Sequence, residues 1–293
     1  GTENLYFQSN AMKFKIHSDI TYQVMSPTTF IFNVHALRTE SQHILDESLI
    51  VTPPIEIEEF SYNSGTSRFV RLKATENTTF SMSYTATVDT QYKVIDQRQE
   101  LETVPVVDLD GDIIPFLFPS RYCQSDKLQK LAYKEFGKIE NVYSKVLAIT
   151  DWIYNNVEYI SGSTNSQTSA FDTITERAGV CRDFAHLGIA LCRALSIPAR
   201  YFTGYAFKLN PPDFHACFEA YIGGNWIIFD ATRLVPLNGL VKIATGRDAA
   251  DAAVASIFGN ASSTNMHVEC ASLDTDFTPF WYDKNSLKGL SFQ

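Results

Sequence analysis

The sequence predicts an α+β chain in which an N-terminal antiparallel β-sandwich precedes a core of helices packed on an antiparallel sheet. Between residues 12 and 107, short alternating runs rich in Val, Ile, Thr, Phe and Tyr recur between turn residues, a pattern typical of antiparallel strands. After residue 108, stretches of helical character precede three further strands. We therefore predict a sandwich domain over residues 12–107 and a core domain over residues 108–293.

In the predicted sandwich, strands are expected at residues 29–37, 55–58, 67–74 and 78–88, where apolar or β-branched residues continue or alternate with polar ones. Pro53-Pro54 and Glu76-Asn77 separate neighbouring runs. Residues 96–112, interrupted by Pro105 and Asp110-Gly111-Asp112, predict a linker. The three histidines of this part, His17, His35 and His43, are isolated and suggest no catalytic group.

The first eleven residues do not match the rest of the chain. Residues 3–9 read Glu-Asn-Leu-Tyr-Phe-Gln-Ser, a protease-cleavage site, and residues 9–11 are its remnant. We interpret residues 1–11 as an expression tag and exclude them from the fold prediction. The native chain is then expected to begin at Met12, and the segment after it lacks the apolar core of a signal peptide, which favours a cytoplasmic location.

The composition is that of a globular protein, with 45% hydrophobic and 19% charged residues. The formal net charge of −9, or −8 without Glu3 of the tag, disfavours nucleic acid or an anionic membrane as partner. No apolar run approaches the roughly 18–20 residues that span a bilayer. The oligomeric state is not predicted from these features.

The five cysteines are scattered and contain no C-x-x-C pair. This spacing disfavours a disulfide framework and a structural zinc site. Cys123, Cys192 and Cys270 are interpreted as small buried hydrophobic residues.

In the core, helices are expected at residues 127–136 and 142–157, followed by a polar loop over residues 159–170 that leads towards Cys181. A third helix is expected to begin at Cys181 and to end before Pro198. One face of that helix carries an apolar stripe formed by Phe184, Leu187, Gly188, Leu191 and Leu195. Cys181 then lies in the first turn, where the helix dipole and free backbone N–H groups favour a thiolate.

A hairpin further along the chain predicts partners for this cysteine. Strands are expected at residues 199–207, 214–222 and 225–232, and a two-residue Gly223-Gly224 turn pairs Ile222 with Asn225. In that register His215 opposes Thr232, Asp230 opposes Cys217, and all four side chains share one face of the sheet. A three-residue turn would reverse this parity and separate His215 from Asp230.

If the register holds, Cys181 is the nucleophile, His215 removes its proton and later protonates the leaving group, and Asp230 orients the imidazole. The Cys181 backbone N–H is a candidate oxyanion donor, with Gln167 or Thr173 as candidates for the second. Taken singly, a buried Cys, a strand His or an Asp before a turn is more often structural. Taken together, the three residues form a specific arrangement that favours catalysis.

Three neighbouring residues have other expected roles. His186, five residues after Cys181, is rotated by about 140° on the helix and is expected to face away as buried support. Asp183 either complements the helix dipole or shapes the hydrogen bonds of the nucleophile. Glu219 shares the face of His215 and is interpreted as a substrate contact or as a support residue.

Three motifs carry a family resemblance: residues 179–185, His215-Ala216-x-x-Glu219, and Trp226-x-x-x-Asp230-Ala231-Thr232. They resemble the motifs of the transglutaminase-like superfamily, a branch of papain-like thiol enzymes, and residues 117–122 and 246–251 resemble flanking segments of its bacterial members. The resemblance implies a papain-like core after a β-sandwich, Cys181, His215 and Asp230 as triad, and no cofactor. One position departs: the aromatic residue common two positions after the histidine is Cys217 here, which bears on the shape of the substrate site.

The predicted function is attack of Cys181 on a peptide or isopeptide carbonyl, with hydrolysis favoured and a peptide or protein as substrate. Acyl transfer to an amine, as in a transglutaminase, uses the same three residues and is the alternative. A second alternative is a catalytically silent protein-interaction module, and a redox or metal-binding thiol protein lacks any supporting spacing.

Overall fold

A computed structural model describes residues 8–61, 66–97 and 104–292. Within them the chain forms fifteen strands and four α-helices. The strands before the helical region are β1 Gln8–Val24, β2 Thr28–Phe32, β3 Gln42–Thr52, β4 Ile57–Phe60, β5 Phe69–Ala74 and β6 Thr78–Asp96. The core elements are α1 Gln129–Phe136, α2 Val142–Asn156, β7 Glu158–Tyr159, α3 Ala170–Glu176, β8 Ala178–Gly179, α4 Cys181–Ala194, β9 Ala199–Ala206, β10 Phe214–Ile222, β11 Asn225–Phe229 and β12 Leu240–Gly246. The last strands are β13 Ala255–Phe258, β14 Ala261–Ser272 and β15 Lys288–Ser291.

The N-terminal strands form two antiparallel sheets that pack face to face, which confirms the predicted sandwich. One sheet has the order β14-β1-β6-β15, with β3 also paired to β6, and the other has the order β13-β2-β5-β4. Aromatic side chains from both sheets meet between them: the ring centroids of Tyr22 and Phe30 are 5.0 Å apart, and those of Phe30 and Phe80 are 5.1 Å apart. This aromatic layer is the centre of the sandwich core.

The sandwich is completed by strands from the far end of the chain. β14 pairs antiparallel with β1, β13 with β2, and β15 with β6. Of these strands, β14 spans Ala261–Ser272 and β15 follows it. The two sheets of the sandwich thus contain strands from both ends of the chain. The predicted domain boundary at residue 107 remains a prediction.

Two predicted segments fall partly outside the described residues. Residues 1–7 of the predicted tag and residues 98–103 of the predicted linker lie there. Residues 8–11, which the fold prediction excluded, extend β1 and pair with residues 91–94 of β6. The reason is that β6 runs to Asp96 and offers backbone partners along its whole length.

The core sheet has the order β11-β10-β9-β12, and α4 packs on it, as the predicted α+β class requires. Gly188 of α4 lies directly over β10: a Cβ added there would be 2.4 Å from Cε1 of the fully buried Phe218. The absence of a side chain therefore lets the helix that begins at Cys181 approach the strand that carries His215.

Gly188→Ala is expected to lower the melting temperature. Overpacking a rigid core costs about 1–3 kcal/mol, which exceeds the about 1 kcal/mol by which Ala favours a helix over Gly. Gly111→Ala is the matched control, because a Cβ there meets no atom within 4 Å. Differential scanning calorimetry of both variants checks the expectation, and an unchanged or higher melting temperature for Gly188→Ala would contradict it.

Helix α3 is the one α-helix of the described core that the sequence analysis did not predict. Its start carries a capping box, in which the Asp172 carboxylate accepts from the Ser169 backbone N–H at 2.9 Å and the Ser169 hydroxyl accepts from Asp172 N at 3.5 Å. That pattern is readable in the sequence, but the seven-residue helix is too short to show clear apolar periodicity.

Candidate active site

Cys181 is the first residue of α4, as predicted, and its thiol is partly exposed. The carboxylate of Asp183 caps this helix: Oδ2 accepts from the Val180 backbone N–H at 2.9 Å and from the Thr164 hydroxyl at 2.6 Å. Gly179 makes room for that carboxylate, because a Cβ at this position would lie 2.6 Å from Cβ of Asp183. The Gly-Val-Cys-Arg-Asp motif thus shapes the helix start on which the cysteine sits.

The hairpin register is confirmed. Ile222 pairs with Asn225 and Phe218 with Phe229, as a two-residue turn requires. Beyond the end of β11, His215 and Asp230 meet: His215 Nε2 and Asp230 Oδ2 are 2.6 Å apart, and both side chains are buried. The other carboxylate oxygen of Asp230 accepts from the backbone N–H and the hydroxyl of Thr232, at 2.9 and 2.8 Å. Both oxygens of Asp230 are therefore held in place.

The charge state of His215 follows from this environment. Burial lowers the pKa of His215, but the charge of Asp230, its hydrogen bond, and the interaction with Cys181 outweigh burial and raise the pKa to about 10. The raised value means that the ring holds a proton readily at neutral pH. An imidazolium beside a sulfur atom favours the thiolate form, which is the nucleophilic one.

The two ring nitrogens of His215 have different partners. Nε2 faces Asp230, whereas Nδ1 is buried and makes no hydrogen bond within the described residues, and the neighbouring Cys181 thiol raises the pKa of the ring. With Nε2–H donating to Asp230, Nδ1 is the atom that can take the proton of the thiol. The structure thus brings the three predicted residues together in the order thiol, imidazole, carboxylate.

The other four cysteines differ from Cys181 through the effect of burial on their thiols. Burial raises the pKa of the thiols of Cys123, Cys192, Cys217 and Cys270. Cys217 shares the face of His215, as the register requires, but it is 1% exposed and does not reach the surface of the site. Its effect on substrate shape is consequently limited to packing below the site.

The polar loop before Cys181 is fixed by Arg182. Its guanidinium donates to the backbone carbonyls of Asn165, Ser166 and Thr168 at 3.2, 3.0 and 2.9 Å. The same guanidinium lies over the ring of Tyr122, 4.4 Å from its centroid. Residues 164–168 are therefore tied to the first turn of α4 and form a wall beside the thiol.

His186 and Glu219 support the site from beneath. His186 is fully buried, its Nε2 accepts from the Ala249 backbone N–H at 3.1 Å, and its ring stacks on Tyr122. Glu219 is also fully buried, so the expectation of a substrate contact is wrong and the support role holds. Its carboxylate binds Arg200 at 2.8 Å and lies 3.7 Å from the ammonium of Lys242.

The two residues suggested as a second oxyanion donor have different outcomes: Thr173 is excluded, and Gln167 remains a prediction. The Thr173 side chain is buried and its hydroxyl donates to the Ser169 carbonyl at 3.2 Å, so that expectation is wrong. Gln167 is exposed in the loop, where its backbone N–H donates to Asn165. The sequence analysis missed Tyr159, whose hydroxyl lies near the Cys181 backbone N–H, so that this N–H lowers the pKa of the phenol.

Metal-binding groups and membrane-spanning helices were both sought by the sequence analysis, and the described residues bear on each. No group of three or more His, Cys, Asp or Glu side chains in residues 8–61, 66–97 and 104–292 is arranged to hold a metal ion. In the same residues, no helix combines the length and the apolar character needed to cross a bilayer. The expected partners and location remain predictions.

A cysteine at a helix start, facing a His–Asp pair on an antiparallel sheet, places this molecule in the class of papain-like thiol proteins. The chain belongs to the transglutaminase-like superfamily: residues 129–231 match the family described as "Transglutaminase-like superfamily". Residues 12–112 match the "Bacterial transglutaminase, N-terminal domain". The resemblance seen in the sequence motifs is thereby confirmed.

Individual relatives agree with this assignment. A crystal structure from Cytophaga hutchinsonii, described as a "Putative Cysteine Protease", is 98% identical, covers 98% of this chain and is itself covered completely, with a TM-score of 0.97. "Uncharacterized protein ML0607" of Mycobacterium leprae is 28% identical over 179 residues, and the match spans 58% of this chain and 63% of that protein. The periplasmic domain of TgpA from Pseudomonas aeruginosa is 15% identical, over 79% of this chain and 74% of that one, with a TM-score of 0.40. The family and the Cytophaga hutchinsonii structure support a thiol-dependent activity of protease or transglutaminase type.

Proposed function

We propose that the protein hydrolyses peptide or isopeptide bonds through a catalytic triad of Cys181, His215 and Asp230. The observation that carries the proposal is the buried 2.6 Å contact between His215 and Asp230, which leaves Nδ1 of the ring to the thiol at the start of α4. Support for hydrolysis comes from the 98% identical structure described as a cysteine protease. The substrate is a peptide or protein.

The proposed reaction has two halves. At neutral pH the thiol proton already resides on His215, the Cys181 thiolate attacks the carbonyl carbon, and the carbonyl oxygen becomes an oxyanion near the Cys181 backbone N–H. The intermediate collapses when the C–N bond breaks and imidazolium gives its proton to the leaving amine, which leaves a thioester on Cys181. Water, deprotonated by His215, then attacks the thioester and releases a carboxylic acid and the free thiol.

The first test is selective alkylation of the five cysteines. With iodoacetamide between pH 6 and 9, peptide mapping is expected to find Cys181 labelled first at neutral pH, because burial raises the pKa of the other four thiols. His215→Ala is expected to slow this labelling to the rate of an ordinary thiol. Cys270→Ala is the matched control and should leave it unchanged. Equal and slow labelling of all five cysteines would contradict the proposal.

The second test separates hydrolysis from transfer. An activated ester such as p-nitrophenyl acetate acylates Cys181, and the fate of the acyl group is followed with and without an added primary amine. Release of acetate at an unchanged rate supports hydrolysis, whereas formation of the amide at the expense of acetate favours the transglutaminase reaction. Absence of Cys181 acylation would point to the silent interaction module.

A further inference from the structure

Tyr159 is held beside the nucleophile by the backbone. It lies in β7, which pairs in parallel with β8, so that Tyr159 stands opposite Gly179, two residues before Cys181. The N–H of Ile160 donates to the Gly179 carbonyl at 3.0 Å. The Tyr159 ring packs on Phe184 in the first turn of α4, with centroids 5.6 Å apart. The position of Tyr159 relative to the helix start is therefore set by the strand pairing and by the contact of its ring with Phe184.

The hydroxyl of Tyr159 reaches the group that an oxyanion would use. It lies close enough to the backbone N–H of Cys181, the donor next to the sulfur, for that N–H to lower the pKa of the phenol. Tyr159 is 43% exposed, so it is accessible from solvent beside the nucleophile. An oxygen that faces the Cys181 N–H leaves the phenol's own O–H free to donate to another acceptor.

Burial and neighbouring charges keep this phenol protonated. Burial raises the pKa of Tyr159 to about 12, aided by the charges of Cys181, Asp213 and Asp230 and opposed by the Cys181 N–H. At neutral pH the group is therefore a neutral O–H donor, the form that can stabilise a developing negative charge.

We propose that Tyr159 is a catalytic residue and supplies the second oxyanion donor for acyl transfer at Cys181; this rests on the proposed function. In the free protein the hydroxyl oxygen of Tyr159 lies next to the Cys181 N–H. When the thiolate adds to a substrate carbonyl, the C=O π electrons move onto oxygen, and the Cys181 N–H donates to this oxyanion. The phenol O–H then donates to the same oxyanion and retains its proton, so no proton is transferred in the step.

The test compares two reactions of the same thiol. Acylation by p-nitrophenyl acetate passes through a tetrahedral oxyanion, whereas alkylation by iodoacetamide is a direct displacement at carbon with no oxyanion. Tyr159→Phe removes only the hydroxyl and is expected to slow acylation by about 10²–10³-fold, with the alkylation rate unchanged. Tyr133→Phe, which alters a 56% exposed tyrosine on α1, is the matched control and should change neither rate.

Each outcome decides between distinct explanations. Loss of acylation alone supports the oxyanion role. Equal loss of both reactions means that Tyr159 maintains the helix start or the thiolate, and unchanged or faster acylation means that it only covers the thiol; either result overturns the inference. If the unmodified protein is alkylated at Cys181 but never acylated, the proposed function itself fails, whatever Tyr159→Phe does.

Discussion

Asp230→Asn is expected to slow acylation of Cys181 by at least about 10²-fold at neutral pH. Burial alone lowers the pKa of His215, and the charge and hydrogen bond of Asp230 are the main causes that raise it to about 10. Without them the ring becomes neutral near pH 7 and loses the partner that fixes Nε2–H. The nucleophile then lacks both an imidazolium neighbour and an oriented base.

The sign of the pH dependence follows from the raised pKa. In the unmodified protein imidazolium persists as pH rises until about pH 10, so iodoacetamide labelling of Cys181 should remain fast down to pH 6. In Asp230→Asn the labelling rate should rise with pH as for an ordinary thiol, which makes the difference largest at low pH. The stabilising contribution of the pair is complete below the unfolded pKa of about 6.5 and disappears as pH rises through the folded value.

A second Asp–His pair provides the matched control. Asp19 accepts from His17 at 2.5 Å on the sandwich, with side chains 36% and 26% exposed. Asp19→Asn should leave the pH profile of Cys181 labelling unchanged. A profile for Asp230→Asn that coincides with that of Asp19→Asn would show that the buried carboxylate does not control His215.

Glu219→Gln is expected to destabilise the protein by about 3–5 kcal/mol, because it removes one partner of a buried ion cluster and leaves two cations without a counter-charge. Burial raises the pKa of Glu219, but Arg200 and Lys242 outweigh it and lower the value. Arg200 lies on β9, Glu219 on β10 and Lys242 on β12, so the cluster joins three strands of the core sheet. Urea unfolding monitored by tryptophan fluorescence measures the loss.

Glu58→Gln is the control for a carboxylate in an exposed ion pair. Glu58 binds Arg71 at 2.6 Å with side chains 61% and 47% exposed, and its loss should change the free energy of unfolding by no more than about 0.5 kcal/mol. A Glu219→Gln variant as stable as Glu58→Gln would mean that water reaches Arg200 and Lys242. If the prediction holds, Glu219 also makes the stability of the protein sensitive to acid. The stabilising contribution of the Glu219 carboxylate is complete above its pKa in the unfolded chain and is lost as pH falls through its lowered pKa in the folded protein.

The geometry of the three candidate residues could be predicted because it depends on local rules. A two-residue turn fixes the parity of a hairpin, and parity decides that His215 and Asp230 share a face. The position of Cys181 follows from a glycine, an acidic third residue and an apolar stripe, all within one segment. The family motifs contain these same residues.

Tyr159 could not be found in this way. A two-residue parallel pairing brings it to Cys181 from 22 positions earlier, and so short a pairing has no periodicity to detect. The burial of Glu219 was equally hidden, since its two cationic partners come from separate strands. The pairing of β14 with β1 joins the two ends of the chain, and no local pattern specifies such a partner.

That pairing has a consequence for the order of folding. Residues of β1 pair with residues of β14 that are roughly 240–260 positions later, which gives the sandwich an unusually high contact order. During synthesis the N-terminal strands must wait for nearly the whole chain, and one long edge of β1 has no partner until β14 arrives. Cotranslational folding of the sandwich as an independent unit is therefore disfavoured.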